Sequence, residues 1–197
     1  MHIMPMTMYA LFGIAAGVLA FVAYPIYIRD ILHGNTKPSR VTWWILTISN
    51  ALLVASYYAS GARDTIWIPV SYSIGFFSIA ILSLKYGEGR WTILDYACLT
   101  GAIASALAWA LFDSAETALF MIIAVDFFGL VPTIYKSYLR PWTENRTAWI
   151  IAAVASLLNI FAIESWTFII STYPVYVLLT NGLVAYFLIR SRPREVV

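Results

Sequence analysis

One carboxylate stands alone deep in an apolar run: Asp126, in Met121-Ile122-Ile123-Ala124-Val125-Asp126-Phe127-Phe128. It lies about nine residues into its segment, so at about 1.5 Å per residue it sits about 14 Å from that segment's start. That is near the midplane of a hydrocarbon layer about 30 Å thick. A charged acid at such depth costs about 2.5–3.5 kcal/mol on insertion scales, and by default it marks a solute path or a proton relay. No lysine or arginine lies at comparable depth in any apolar segment. The bland alternative is a protonated Asp126 that hydrogen-bonds a neighbouring helix.

Three asparagines reach similar depths. Asn50 lies about 14 Å into its segment, Asn159 about 18 Å and Asn181 about 20 Å. An amide can hold a solute through its donor and acceptor, or tie two helices together for about 0.6–2 kcal/mol. Tyr57, Tyr58 and Tyr72 add ring faces and hydroxyls, and rings with a few placed polar groups make a typical small-molecule site. Pro25 and Pro132 lack a backbone donor and disrupt their helices one or two turns from the end. They are hinge candidates for an inner gate, with a static kink as the alternative. Tyr27 and Tyr135 follow them and are placed to plug the inner mouth.

Other chemistry is missing from the sequence. His2 and His33 are far apart, and there is no metal-ligand cluster, glycine-rich phosphate loop, nucleophile elbow or CxxC. Lys37, Lys85 and Lys136 all fall at segment ends, where none could hold a retinal. Cys98 is the single cysteine, so no intramolecular disulfide exists, and its apolar surroundings read as a buried thiol. No enzyme activity, cofactor, metal or nucleic-acid partner is expected.

The elements that must position these groups are apolar helices. The chain of 197 residues is 61% hydrophobic and 11% charged, where a soluble domain carries about 25% charged residues. Seven apolar segments, approximately 7–29, 41–60, 66–86, 91–112, 117–138, 147–165 and 168–190, are each about long enough to span a bilayer. Trp67, Trp91, Trp142 and Trp166 fall at segment ends, as interfacial belt residues do. Eleven of the 12 Lys+Arg fall on one side of this layout, with Arg63 alone on the other beside Asp64, Asp113, Glu116 and Glu164. The positive-inside rule then puts the N-terminus outside and the C-terminus in the cytosol. On that side Asn145-Arg146-Thr147 reads as an unused glycosylation acceptor. A bacterial or archaeal plasma membrane is the expected location.

The chain also repeats itself. Ala23-Tyr24-Pro25-Ile26-Tyr27-Ile28-Arg29, a polar turn and Val41-Thr42-Trp43-Trp44-Ile45 return as Leu130-Val131-Pro132-Thr133-Ile134-Tyr135-Lys136, a polar turn and Thr147-Ala148-Trp149-Ile150-Ile151. Segments one to three and five to seven form the two copies, and segment four links them. An odd linker lets both copies face the same way, so the expected fold is an all-α membrane protein of seven transmembrane helices. Two parallel three-helix repeats, 7–86 and 117–190, would be joined by a linker helix at 91–112. Asp126 has Leu19 as its counterpart and so breaks the symmetry.

These features resemble the SWEET/PQ-loop transporter superfamily, whose relatives include PnuC-type and cystinosin-type members. Pro25 and Pro132 match the family proline of each unit's first helix, but Ile26 and Thr133 stand where PQ-loop members carry glutamine. Thr180-Asn181-Gly182-Leu183 resembles the third-helix motif whose asparagine holds substrate, which carries that role to Asn181. Ser71-Tyr72-Ser73-Ile74-Gly75 keeps the same frame, with Tyr72 in the asparagine's place. Tyr57 and Ile163 stand where the sugar-stacking tryptophans would be, which weakens a hexose substrate.

The resemblance implies a membrane transporter of a small polar solute (a sugar, an amino acid or a vitamin) working by alternating access. Asn181, Asn159, Asp126, Tyr57, Tyr72 and Asn50 are its candidate substrate-binding residues, and Asp126 is the candidate for proton coupling. The competing reading is a receptor or sensor on the same scaffold that binds a small ligand without moving it.

Overall fold

The computed structural model describes residues 6–88, 91–109, 111 and 115–190. Arg90, Asp113, Arg192 and Arg194, and the last part of the expected linker segment, lie outside the described residues. Among the described residues there are seven α-helices: α1 Met6–Leu32, α2 Arg40–Ala59, α3 Trp67–Tyr86, α4 Ile93–Trp109, α5 Ala115–Leu139, α6 Arg146–Ile160 and α7 Phe168–Arg190. A single 3-10 turn, Pro141–Thr143, precedes α6, and no strand occurs among the described residues.

Local chemistry sets these boundaries. Ser39 caps α2 by accepting the Thr42 amide on its hydroxyl, and Asn145 caps α6 by accepting the Ala148 amide at 2.6 Å. Glycines in the left-handed region end α1 and α2, Gly34 at φ +76° and Gly61 at φ +99°. At each, the glycine and the residue after it donate back to the last helical carbonyls: Gly34 to Ile31 and Asn35 to Asp30, then Gly61 to Tyr58 and Ala62 to Tyr57. That pairing satisfies carbonyls the helix end would otherwise orphan, and a side chain at either glycine would be strained.

Two expected bounds shift. Helix α1 continues past Arg29 to Leu32, because Ile31 is fully buried and holds the extra turn in the core. Segment six ends at Ile160, short of the expected 165. From Phe161 to Ile163 each amide reaches the carbonyl three residues back, so the helix tightens and stops. Glu164 then turns back to accept the Arg63 amide at 3.4 Å.

Four of the helices contain stretches long and apolar enough to cross a membrane: Met8–Leu32, Trp67–Tyr86, Leu119–Leu139 and Phe168–Arg190. Ile93–Ala104 and Arg146–Ile160 are apolar but shorter. The distribution of side chains is that of a membrane protein. Leu11, Val18, Ile74, Leu84 and Leu179 are exposed on the outer faces, while Ser49, Asn50, Ser156 and Asn159 are buried among the helices. A soluble monomer does not carry so much exposed apolar surface.

In the packing, α1 lies against α3 and α6, α2 against α3 and α5, and α7 against α5 and α6. Helix α4 leans on α5 and touches α2 slightly. Small residues permit the close approaches. A Cβ at Gly75 would run into the Tyr24 ring, and one at Gly129 would meet Ile45 Cγ2 at 2.6 Å.

Candidate solute-binding site

Six of the seven helices, all but α4, surround one cavity enclosing about 600 Å³ of empty space, counting the part open to the outside. Helix α1 contributes Tyr24 and Tyr27, α2 Trp43, and α3 Tyr72 and Phe76. From the later helices come Asp126 of α5, Trp149 of α6, and Tyr173 and Asn181 of α7. Apolar rings with a few polar groups are the usual lining of a small-molecule site.

Several polar groups of the wall are hydrogen-bonded, whereas the buried indole N–H of Trp43 has no partner among the described residues. Asn181 donates its amide to the Tyr72 hydroxyl at 2.8 Å and to Ser156 at 2.9 Å. The two residues occupying the same frame in the two halves of the sequence therefore meet across the cavity. The Asn181 carbonyl oxygen receives no hydrogen bond among the described residues. Asp126 is half-buried. One carboxylate oxygen accepts from Ser49 of α2 at 3.1 Å and the other from Tyr176 of α7 at 2.7 Å. Each oxygen keeps lone-pair capacity for a further donor.

The basic end is fastened by a buried cluster. Glu144 forms an ion pair with Lys136 at 2.5 Å, with side-chain exposures of 0% and 3%. Its other oxygen accepts the Tyr27 hydroxyl at 2.6 Å and the Trp149 indole N–H at 3.0 Å. Lys136 also donates to the Lys37 carbonyl at 2.5 Å. These bonds join α1, α5, α6 and the turns between helices directly beside the cavity wall, where the Tyr27 and Trp43 rings lie 5.3 Å apart. Removing one member of such a pair strands a charge in low dielectric, which costs about 3–5 kcal/mol. Outside this cluster, Asn145 hydrogen-bonds Asp30, and Arg140 pairs with Glu88 at 3.1 Å on the surface.

The opposite end closes without an ion pair of this kind. Tyr57 donates its hydroxyl to the Ile170 carbonyl at 2.6 Å and shares a contact of 2.9 Å with the Thr65 hydroxyl. Asn159 donates to the Thr65 carbonyl at 3.4 Å. Asp64 lies in the turn between α2 and α3, where partial burial raises its carboxyl above the usual range. Arg63 stacks its guanidinium over the Tyr58 ring at 4.1 Å.

Of the six candidate binding residues, Asp126, Asn181 and Tyr72 line the cavity. Asn50, Asn159 and Tyr57 do not; each donates to a neighbouring group, while the buried carbonyl oxygens of Asn50 and Asn159 accept no hydrogen bond among the described residues. Asn50 donates to the Pro69 carbonyl and to Ser73, both at 2.9 Å, and so ties α2 to α3. Tyr27 lines the cavity next to the ion pair, whereas Tyr135 is 54% exposed on the outer face of α5 and away from the wall. The reason is register: 107 positions separate the two prolines, so Tyr27 corresponds to Ile134, and Tyr135 points about 100° further around its helix. Pro25 and Pro132 both lie inside their helices, and neither touches the cavity. Cys98 is a buried free thiol.

Several residues of the site were not singled out as such in the sequence. Tyr173, Tyr176 and Thr180 are spaced three and four apart on α7, a face that also presents Asn181. That periodicity could have indicated them. Glu144 is the lone acid between Lys136 and Arg146, a weaker signal for a buried pair. Trp43 and Trp149 were visible as landmarks of the repeat but not as wall residues. Comparison with protein-family models, with curated proteins and with solved structures finds no match for this chain.

Proposed function

We propose that this chain is a membrane transporter that carries a small polar solute by alternating access between two parallel three-helix units, residues 7–86 and 117–190. Exchanging α1 with α5, α2 with α6 and α3 with α7 turns the packing pairs into one another: α1 on α6 becomes α5 on α2, and α2 on α3 becomes α6 on α7. Helix α4, the proposed linker, stands outside that exchange. The same exchange relates Ser39 to Asn145 as helix caps and Trp43 to Trp149 on the cavity wall. Such internal pairing is what rocking of one unit against the other requires.

The observation that carries the reading is the position of the cavity. It lies among helices of both proposed units, beside the Asp126 carboxylate, which has no ion-pair partner among the described residues, and is fastened at one end by the Glu144 cluster. In the proposed cycle that cluster is the inner gate, on the cytosolic side, and Pro25 and Pro132 are the hinges. Asp126 takes up and releases the coupling proton. An SWEET-like or PQ-loop-like ancestry fits the same arrangement.

The test begins with a thermal-shift screen of small polar metabolites at two pH values, followed by uptake of the stabilising solute into proteoliposomes. Uptake is expected to follow an imposed pH gradient, and Asp126→Asn is expected to remove that dependence. A variant whose flux follows the gradient unchanged would remove the coupling role. A solute that binds and is never moved would support the receptor reading instead.

A further inference from the structure

We infer that the solute is an organic cation with a compact apolar body, held against the cavity's ring faces with Asp126 as its counter-ion; this rests on the reading of the cavity as the solute's place. The argument starts from what the wall can offer. Seven of its residues are aromatic. Around Phe76 they form a continuous surface, with Tyr72 at 4.7 Å, Trp43 at 5.5 Å and Tyr24 at 6.3 Å between ring centroids. Ring faces carry the negative lobe of a quadrupole and attract a cation placed within about 6 Å.

The charges agree with the rings. Asp126 is the single carboxylate of the wall, and no lysine, arginine or histidine lines it among the described residues. The base nearest in the network, Lys136, is already neutralised by Glu144. With Asp126 ionised the wall therefore carries one uncompensated negative charge. An anionic solute would meet that charge and the ring faces together, with no base to receive it.

The wall also offers acceptors. Asn181, Tyr27 and Trp149 donate to neighbours, while the buried indole N–H of Trp43 has no partner among the described residues. The Asp126 carboxylate and the Asn181 carbonyl oxygen keep acceptor capacity, which a cationic nitrogen needs beside the π faces.

The test uses an isosteric pair that differs in charge alone, 3-hydroxyphenyltrimethylammonium and 3-tert-butylphenol, titrated calorimetrically into the full chain in nanodiscs. The cation is expected to bind at least tenfold more tightly than its uncharged isostere, and Asp126→Asn to abolish that preference. Phe76→Leu removes a ring face without orphaning a polar group, and it is expected to weaken the cation several-fold and the isostere less. It carries the test if Asp126→Asn fails to fold. Equal affinities, a tighter isostere or no measurable binding of the cation would overturn the inference. Proteoliposome flux separates the two readings. A cation that binds but does not cross removes the transport reading alone, and uptake of neutral solutes with no cation binding removes the cation inference alone.

Discussion

Where the first triplet has Leu19, the second has Asp126; where the first has Tyr72, the second has Asn181. Asn50 of α2 ties its own neighbour α3, whereas Ser156, its counterpart in α6, receives a bond from Asn181 beside the cavity. The helix pairs within α1–α3 and α5–α7 pack alike, yet the carboxylate and the amide of the wall both belong to the second set. The lesson is a division of labour: both sets supply apolar wall residues, and a few side chains without a counterpart give the cavity its polarity. The two ends of the cavity differ as well, one fastened by a buried ion pair and the other by a tyrosine hydroxyl on a backbone carbonyl.

The largest expected effect separates those two ends. Glu144→Leu strands the Lys136 ammonium and should destabilise the fold by about 3–5 kcal/mol in a detergent unfolding titration. Adding Lys136→Met should recover most of the loss. Tyr57→Phe at the other end removes one neutral hydroxyl bond and should cost about 0.5–1.5 kcal/mol. Equal losses at the two ends would break the distinction.

Next is the contrast between Asn50 and Ser156. Asn50→Leu should cost about 1–2 kcal/mol and leave binding of the cation probe unchanged, since Asn50 does not reach the cavity. Ser156→Ala should cost less in unfolding but alter probe affinity, because it frees the Asn181 amide.

The pH dependence tests the asymmetry between Asp126 and Leu19. The elements packed on α5 are α2, α4, α7 and the 3-10 turn. From these, Ser49 and Tyr176 reach the carboxylate directly, with Tyr173 also on α7, and Tyr72 faces it across the cavity from α3. Arg40 and Asp95 belong to helix N-terminal turns, and Arg190 to the C-terminal turn of α7. Asp126 is thus the one carboxylate of the wall among the described residues. A proton there removes the counter-charge, so affinity for the cation probe should fall about tenfold per pH unit once the carboxyl is mostly protonated. In Asp126→Asn the slope should vanish.

The smallest effect concerns two glycines. Gly75→Ala must displace the Tyr24 ring, while a Cβ at Gly182 meets nothing within 4 Å. The first should cost about 1–3 kcal/mol. The second should gain up to about 1 kcal/mol from helix propensity. Thermal unfolding of the two variants side by side reads the difference.

Much of the scaffold was legible because apolar run length and turn chemistry are local. The expected segments coincide with the seven helices to within a few residues, except where three-residue back-bonding ends α6 at Ile160. Depth was legible for Asp126 and Asn181, which both line the cavity. It was not for Asn159, because α6 stops at Ile160 and leaves that amide in the last turn, on the Thr65 carbonyl. The direction a side chain faces was not legible either: Asn159 lies behind the wall, and Asn181 reaches Tyr72 across the cavity. Which of them meets the solute depends on which helices are neighbours, and no local pattern carries that. The Lys136–Glu144 pair was hidden for the same reason: its exposure is set by Tyr27 and Trp149, which arrive from other helices.

The central claim is that the space between the two triplets opens alternately to each side of the membrane. In a Cys98→Ser background, Ala152→Cys places a thiol on the cavity wall, and Val154→Cys places one on the outer face of the same helix, where Val154 is exposed. A membrane-impermeant maleimide applied to right-side-out and to inside-out vesicles should label Ala152→Cys from both sides and Val154→Cys from neither. Labelling of Ala152→Cys from one side only, or from none, would contradict alternating access.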